Sequence, residues 1–352
     1  MWTSRSRYTA IAAALLAAAC GGGGDDGPAP PPPPSLVKIT MANQDAVAHA
    51  SIASILPFVN VPVLNASPSP ERVATAMPHG TAQGAGLNAF VRHSIALATK
   101  PMPADVMRAL TRYVGSETCA VSGSLTVTWD DNDESSSLSA GDSLKVDYAQ
   151  CSETPGTSVD GVMVLSLATA SITPTVQDIT GSMSFQTLAM LDQGAGLTLN
   201  GGLGFRLTDT LLTNGIDSLG TYTVGSGLTA IATGGLADTF SYRAGYTVTE
   251  RDFAPNMPGI ATTEAISASG RFGSAALGGD LDLATLQPFK SSYITTEGDI
   301  YPTEGQMTAT GLDNTRVSLT ATKTSQVRMD VCDDGDGEWE ATKMVDWDWL
   351  LP

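Results

Sequence analysis

Hydrophobic and polar residues alternate along most of the chain after residue 119. Residues 124–129 and 143–148 each place an apolar side chain at every second position. This period of two is typical of a β-strand with one buried face. A polar stretch, residues 130–142, separates the two runs, so we predict a hairpin. Similar alternations recur at residues 241–249, 308–312, 316–322 and 326–331. With the repeat described next, they predict ten or twelve strands.

A weak repeat of the form Gly-x-apolar-x-apolar supports this prediction. It begins at Gly123, Gly161, Gly181, Gly201, Gly220 and Gly279. From Gly161 to Gly220 these glycines are spaced by 20, 20 and 19 residues. A spacing of about 20 residues holds two strands of about seven or eight residues with their turns, at about 3.3 Å per residue. The repeat therefore favours an antiparallel meander with one buried face over a solenoid, because the spacing fails after Gly220. A single open sheet of so many strands usually curls or folds on itself. We predict a mainly β fold, a large curved antiparallel meander, barrel-like or sandwich-like, with a short N-terminal helical segment.

Helical spacing appears only near the N-terminus. Residues 43–56, 87–98 and 104–114 favour helices, the first ending at Pro57, and residues 65–86 have the composition of a loop. We therefore expect residues 36–115 to form a helical and loop segment that packs on the sheet. Residues 116–352 are expected to form the β domain.

The chain begins with an export signal. Arg5 and Arg7 precede nine apolar residues, 11–19, and then Cys20. Nine residues make a helix of roughly 14 Å, too short to cross a bilayer core of about 30 Å. Small residues before a cleavage position are typical of a signal peptide, which we place at residues 1–19. Residues 20–35 are rich in Gly and Pro and read as a flexible tether.

Cys20 directly after small residues resembles the lipobox of bacterial lipoproteins. The resemblance implies cleavage before Cys20, lipidation of that cysteine and attachment to a membrane. Ala17 stands where the family prefers Leu, so an ordinary secretory signal is the alternative. Gly21, where an Asp would direct inner-membrane retention, favours the outer membrane.

Two further segments, residues 39–48 and 119–151, are similar to uncharacterised lipoproteins of Burkholderiales-type bacteria. The combined pattern covers about half of the chain. It implies placement and architecture, and no activity.

Charge and histidine content exclude several classes of function. The chain has 36 acidic and 18 basic side chains, a formal net charge of -18, which disfavours binding to phosphate backbones of nucleic acids. The histidines are His49, His79 and His93. A Ser-His-Asp triad or a His-based zinc site within the β domain is therefore excluded. Carboxylate pairs are too common to single one out for glycoside hydrolysis. We expect no enzymatic activity.

The cysteines suggest one disulfide. Cys119 and Cys151 lie at the outer ends of the predicted hairpin, and an exported chain meets an oxidising compartment. Closing this loop is worth roughly 3–4 kcal/mol. Cys119 lies in phase with the apolar residues of its strand and Cys151 does not, so a bulge, or a frayed end near Cys151, is needed to bring the sulfurs together. Cys332 is left over and is expected to be a buried thiol.

Two acidic segments are candidate calcium loops. Calcium prefers six to eight oxygen ligands. The sharper segment offers Asp330, Asp333, Asp334, Asp336 and Glu338, although Cys332 and Ala341 fall where an EF-hand requires oxygens. A hairpin turn is the alternative. The second segment comprises Asp130, Asp131, Asn132, Asp133 and Glu134. No other cofactor is expected.

The C-terminal residues 345–352 alternate apolar and acidic, so Trp347 and Trp349 are expected on one face of a final strand or in a contact patch for a partner. The sequence as a whole favours a non-enzymatic lipoprotein that binds or scaffolds at the outer membrane, facing the periplasm or the cell surface. Its expected partners are the membrane, through its lipid, and an envelope protein or hydrophobic ligand. Three alternatives stay open: a lipid carrier using the concave sheet face, a membrane-embedded β-barrel, which sparse Trp and Tyr disfavour, and a hydrolase.

Overall fold

The computed structural model describes residues 35–59, 112–135, 138–192, 194–234, 237–256, 260–293, 301–323 and 325–350. The predicted signal peptide, Cys20, most of the tether and the predicted helix at 87–98 lie outside the described residues. So do His79 and His93, and residues 104–111 of the third predicted helix. Residues 112–114 of that helix belong to the first strand instead.

The described residues form one antiparallel sheet in which strands follow each other in chain order. The strands are β1 Arg112–Thr118, β2 Ser122–Asp130, β3 Ser143–Ser152, β4 Thr157–Ile172, β5 Val176–Asp192, β6 Ala195–Leu212, β7 Gly215–Thr233, β8 Asp238–Tyr242, β9 Thr247–Pro255, β10 Thr262–Ser274, β11 Gly279–Tyr293, β12 Glu304–Thr310, β13 Arg316–Ala321, β14 Gln326–Cys332 and β15 Ala341–Asp346. The predicted fold class, an antiparallel meander, is confirmed, with more strands than the ten or twelve expected.

Strands β8 and β9 are two parts of one interrupted strand. Both pair with β7 on one side and with β10 on the other. On β7, Leu228 pairs with Tyr242 of β8 and Thr223 pairs with Thr247 of β9. Residues 243–246 bulge between them, and the amide of Val224 donates to the Tyr246 carbonyl across the gap at 2.8 Å. The interruption explains the extra strand within the single alternation at 241–249.

A series of left-handed residues crosses the sheet from strand to strand. These residues are Gly123, Gln150, Gly161, Thr187, Gly201, Gly227, Gly245, Gly270 and Gly305. Gly161 has φ +110°, and a Cβ there would meet the carbonyl of Thr187 on the next strand. Bulges of this kind bend the strand and increase its twist. Three glycines of the sequence repeat therefore mark positions where the sheet bends. Gly181, Gly220 and Gly279 have ordinary backbone angles.

The hydrophobic core follows one face of this sheet. On β3, Leu144, Val146 and Tyr148 are buried at every second position, and on β14 the same holds for Val327 and Met329. Each large apolar side chain fully removed from water contributes about 1.5–3 kcal/mol. We call this the inner face, and the opposite one the outer face.

Two N-terminal helices pack on the inner face. They are α1, Gln44–Ala53, and α2, Leu56–Val59. Phe58 packs edge-on to Tyr242 with ring centroids 5.1 Å apart, and the Tyr242 hydroxyl donates to the Ser54 carbonyl at 2.8 Å. Pro57 lies inside α2 and does not end the helical segment, since α1 has already ended at Ala53. The helices thus fill the inner face beside the interruption between β8 and β9.

Residues 36–40 form a strap at the N-terminal end of the described chain. It contributes only an isolated bridge between Leu36 and Asp280. The amide of Val37 donates to the Asp280 carbonyl at 2.9 Å, and the amide of Ile39 donates to the Thr315 hydroxyl at 2.9 Å. A 3-10 turn, Leu312–Asn314, accompanies this strap.

The final strand predicted at the C-terminus is wrong beyond Asp346. A short helix, α3, Trp347–Leu350, follows β15. The ladder ends at Asp346, which pairs with Gln326, the first residue of β14. One more backbone bond, from the Trp347 amide to the Ser325 carbonyl at 2.8 Å, joins the start of α3 to the turn before β14. Trp347 is buried against Phe289, with ring centroids 5.7 Å apart.

Candidate functional site

Cys119 and Cys151 form a disulfide at the base of the β2–β3 hairpin, with Cα atoms 5.5 Å apart. The register shifts between Ser122 and Ser124 on β2. On β3 the left-handed Gln150 lies directly before the cysteine. The expected pairing is therefore confirmed, and the bulge required by the strand phases is present.

The acidic loop between β14 and β15, residues 333–340, collects a different set of donors from the one predicted. The sulfur of Cys332 and carboxylate oxygens of Asp334, Asp336 and Glu340 all lie within 4.8 Å of one another. We call these four residues the Cys332 cluster. Of the five predicted calcium ligands it contains only Asp334 and Asp336.

Asp330 is committed to other contacts. Its side chain is almost fully buried on the outer face of β14. One oxygen accepts from Nε of Arg328 at 2.9 Å, and the other accepts from the Thr342 hydroxyl at 2.7 Å. Asp330 therefore links β14 to β15 and does not reach the Cys332 cluster.

Asp333 and Glu338 shape the loop through their backbone. The Asp333 amide donates to Glu340 at 2.8 Å, and the Glu338 amide donates to Asp336 at 2.8 Å. The Asp336 amide donates to Asp334 at 3.0 Å. Each carboxylate of the cluster therefore has one oxygen held by an amide.

Cys332 lies beneath this loop. Its side chain is fully buried, it is not in a disulfide, and it makes no hydrogen bond within the part of the chain that the structure describes. Its cross-strand partner on β13 is Arg316. The Arg316 guanidinium lies over the Trp339 ring, 5.6 Å from its centroid. The expectation of a buried thiol is confirmed.

The sequence contained a signal for the two residues we missed. Val331 pairs with Ala341 as the last ladder pair of the hairpin. Cys332 and Glu340 are the next opposed residues, and the Glu340 amide donates to the Val331 carbonyl at 2.9 Å. Extending the hairpin register by one pair beyond Val331 and Ala341 places Cys332 opposite Glu340. The composition of the loop alone does not show this.

The second acidic loop, between β2 and β3, brings together Asp131, Asp133 and Asp142, with carboxylate oxygens within 4.8 Å. Asp142 was not among the predicted residues. It accepts from the amides of Asn132 and Ser139, at 2.9 and 2.7 Å. Its carboxylate therefore closes the loop through two backbone bonds.

The other members of this loop are more exposed. A hydrogen bond from the Ser135 side chain lowers the pKa of the Asp133 carboxyl. Asp130 ends β2 and pairs with Arg112 at 3.4 Å, and Glu134 has a left-handed backbone. Neither contributes to the three-carboxylate group.

A third acidic group lies inside the sheet, where sequence reasoning placed none. Glu250 and Asp252 on β9 and Glu264 on β10 have oxygens within 4.8 Å. Burial, with a smaller contribution from Asp252, raises the pKa of Glu264 to about 7. Glu250 and Asp252 share the phase of the buried Val248, so the alternation along β9 was the available signal.

His49 is the one histidine within the described residues. Its ring packs against Trp349, with centroids 4.1 Å apart. Desolvation lowers the His49 pKa, while the charge of Asp45 opposes that shift. Lys343 lies beside both, with its ammonium 2.5 Å from Asp45. These contacts join α1 to α3 and β15.

An open depression of about 300 Å³ lies at the ends of β7, β8 and β10. Its lining includes Ile231, Asp238 and Ala276. The Asp238 carboxylate is occupied, since it accepts from the Ser274 hydroxyl at 2.5 Å and from the Ala276 amide at 2.9 Å. The depression is too open to enclose a lipid chain.

The chain matches no protein-family model, no curated protein and no solved structure. Among the described residues, no helix is both long enough and apolar enough to span a bilayer.

Proposed function

We propose that this protein is a non-enzymatic lipoprotein of the bacterial cell envelope, anchored at the outer membrane through Cys20, whose sheet binds or scaffolds an envelope partner. The observation that carries this proposal is the disulfide between Cys119 and Cys151. Such bonds persist in oxidising compartments and are rare in the cytosol. The disulfide therefore supports export independently of the signal-like N-terminus.

The outer face of the sheet offers the surface for a partner. Two adjacent rows of residues cross it from β5 to β10, and apart from Gly204 and Arg206 all of them are serines and threonines. The first row is Ser182, Gly204, Thr223, Thr247 and Ser269, and the second is Thr180, Arg206, Thr221, Thr249 and Ser267. Arg206 bonds Asp178 through two nitrogens, at 2.8 and 3.1 Å, and Arg251 bonds Asp217 in the same way. These pairs hold arginines, which are common in binding hot spots, in fixed orientations.

The inner face supports the carrier alternative less well. Phe58 of α2 packs between Tyr242 and Tyr246, with ring centroids 5.1 and 5.7 Å away. The protein's own side chains thus fill this part of the surface that a hydrophobic ligand would need. We therefore assign partner binding to the outer face.

Anchoring is tested by labelling cells with a palmitate analogue and separating their membranes. We expect label on the wild-type protein and its recovery with outer membranes, and both should disappear in Cys20→Ser. Cys332→Ser serves as a control for the loss of a cysteine elsewhere. An unlabelled wild-type protein released in soluble form would refute the lipid anchor.

Partner binding is tested by photo-crosslinking in intact cells. A photoreactive residue at Ser182 on the outer face should give a discrete crosslinked species. The same group at the exposed Val121, in the β1–β2 loop, serves as the control. The outer-face assignment fails if position 182 gives no product, or if both positions give the same products.

A further inference from the structure

The Cys332 cluster combines a buried sulfur with three loop carboxylates. An acidic loop alone is common on exported proteins and indicates no ligand. Here a fully buried thiol without a hydrogen bond lies beneath the loop, with its sulfur within 4.8 Å of the three carboxylate oxygens. A thiol is a weak hydrogen-bond donor but, once deprotonated, a strong metal ligand. The position of this sulfur is the observation that separates the loop from an ordinary acidic turn.

The donor set selects the class of cation. Calcium binds oxygen ligands and gains nothing from sulfur. Zinc accepts thiolate and carboxylate ligands together and is usually four-coordinate. Zinc–ligand distances of about 2.0–2.3 Å in a tetrahedron place donors about 3.5 Å apart. The donor atoms of the cluster all lie within 4.8 Å of one another, so each pair exceeds that spacing by at most about 1.3 Å.

The loop backbone orients the carboxylates. One oxygen of Asp334, Asp336 and Glu340 each accepts an amide hydrogen bond. Each carboxylate keeps a second oxygen that can bind a cation, and outer hydrogen bonds of this kind position metal ligands. Gly335 permits the turn, because its φ is +82° and a Cβ there would meet the Asp313 carbonyl.

We propose that Cys332, Asp334, Asp336 and Glu340 form a binding site for a thiophilic divalent cation of the zinc class. On binding, the S–H bond of Cys332 breaks, a sulfur–metal bond forms, and the proton leaves to solvent. No electron is transferred. The thiolate and three carboxylates outweigh the charge of the cation by two. Arg316, over Trp339, lies beside the loop and offsets part of that excess. The proposal does not depend on the membrane anchor.

The test uses the full chain with Cys20→Ser in every sample, so that Cys332 is the single free thiol. Cobalt(II) is the spectroscopic probe, and zinc competes with it. We expect one equivalent of Co²⁺ to give a sulfur-to-cobalt charge-transfer band that Zn²⁺ abolishes. Cys332→Ser should remove the band and weaken Zn²⁺ binding by more than about tenfold, the effect of losing even an outer partner of a metal ligand.

Matched variants separate the cluster from general acidity. Asp336→Asn removes a ligand from the exposed loop and should also weaken Zn²⁺ binding by more than about tenfold. Asp333→Asn and Glu338→Gln remove the same type of charge nearby, and both should bind Zn²⁺ as the wild type does. Because Cys332 is buried, Cys332→Ala provides a second test, and circular dichroism checks that each variant is folded.

Three results would overturn the proposal. The first is the absence of a charge-transfer band with the folded wild-type protein. The second is Zn²⁺ binding of equal strength in Cys332→Ser or Cys332→Ala. The third is weakening by Asp333→Asn equal to that by Asp336→Asn, which would indicate diffuse attraction to an acidic loop.

Discussion

The hairpins β2–β3 and β14–β15 both contain acidic loops, yet the two loops are built differently. In the first, residues 131–142, Asp142 accepts two backbone amides, and a disulfide closes the far end of the strands. In the second, residues 333–340, each clustered carboxylate is held by one amide, and an unpaired cysteine lies beneath them. Composition alone does not separate these cases. Backbone amides hold carboxylates in both loops, and what separates the second loop is the buried sulfur of Cys332 among its carboxylates.

The largest expected difference between the hairpins comes from removing the disulfide. Replacing both Cys119 and Cys151 by Ala should lower the free energy of unfolding by about 3–4 kcal/mol, since the unfolded chain regains the freedom of a loop of about 32 residues. Denaturant unfolding measures this change. The buried Cys332→Ala, which closes no loop, is the comparison and should cost less. Equal losses would mean that packing at the cysteines, and not the crosslink, stabilises the first hairpin.

A third group of carboxylates, Glu250, Asp252 and Glu264, can be compared with the two acidic loops, because it lies on the inner face of the sheet and not in a loop. Glu264 has its pKa raised to about 7 from 4.5, so the folded protein holds this proton more tightly than the unfolded chain. The stabilising contribution of the protonated Glu264 is complete below pH 4.5 and is lost as the pH rises through about 7. Glu264→Gln should therefore stabilise the protein at pH 8, by on the order of 3 kcal/mol, and flatten this pH dependence.

Thermal unfolding between pH 4 and pH 8 measures the Glu264 effect. Glu134→Gln, in the exposed loop of the first hairpin, is the matched control for the loss of a carboxylate elsewhere. An unchanged profile in Glu264→Gln would show that the neighbouring Glu250 and Asp252 carry the titration instead.

Two loop glycines provide a smaller contrast. Gly335→Ala should cost about 2 kcal/mol, because its φ is +82° and the new Cβ would meet the Asp313 carbonyl of the backbone. Gly141→Ala should cost about 1 kcal/mol, since its φ is +94° but its Cβ would meet only the movable Asn132 side chain. Denaturant unfolding of both variants compares them. A larger loss at position 141 would contradict this ranking.

The smallest predicted effect is a change in the pKa of Asp133, in the loop between β2 and β3. The hydrogen bond from the Ser135 side chain lowers the pKa of Asp133 below 3.8, so its stabilising contribution is present above pH 3.8 and is lost as the pH falls through its folded-state value. Chemical shifts of the Asp133 carboxyl in an NMR titration measure that value. Ser135→Ala should return it toward 3.8. A titration unchanged by Ser135→Ala would assign the shift to other neighbours.

The sequence predicted the meander because one-face burial imposes a period of two, as in Leu144, Val146 and Tyr148. It also predicted the disulfide and the need for a bulge beside it. The sequence did not predict the interruption between β8 and β9, because the apolar alternation continues through Tyr242 and Tyr246. The C-terminal tryptophans were misassigned for a related reason. The alternation of apolar and acidic residues continues past Asp346. The paired strand β14, however, begins at Gln326, opposite Asp346, and the ladder ends at this pair.

The candidate site was only half predictable. Loop composition identified Asp334 and Asp336, because acidic residues interleaved with glycines form tight turns. Cys332 and Glu340 depend on hairpin register, which the acid-rich stretch does not reveal. Glu264 joins Glu250 and Asp252 only through the pairing of β9 with β10, a contact between residues that the chain separates by a turn.

The order of the strands has a consequence for how the domain assembles. Since each strand pairs with its neighbours in the chain, with β8 and β9 as parts of one strand, the sheet can grow in the order in which its residues are synthesised. The strap at residues 35–40 is different, because Ile39 bonds Thr315 and the nearby Asp45 of α1 pairs with Lys343. Residues 35–40 therefore find their place only when the last strands have formed. The docking of this N-terminal segment then marks the completion of the domain.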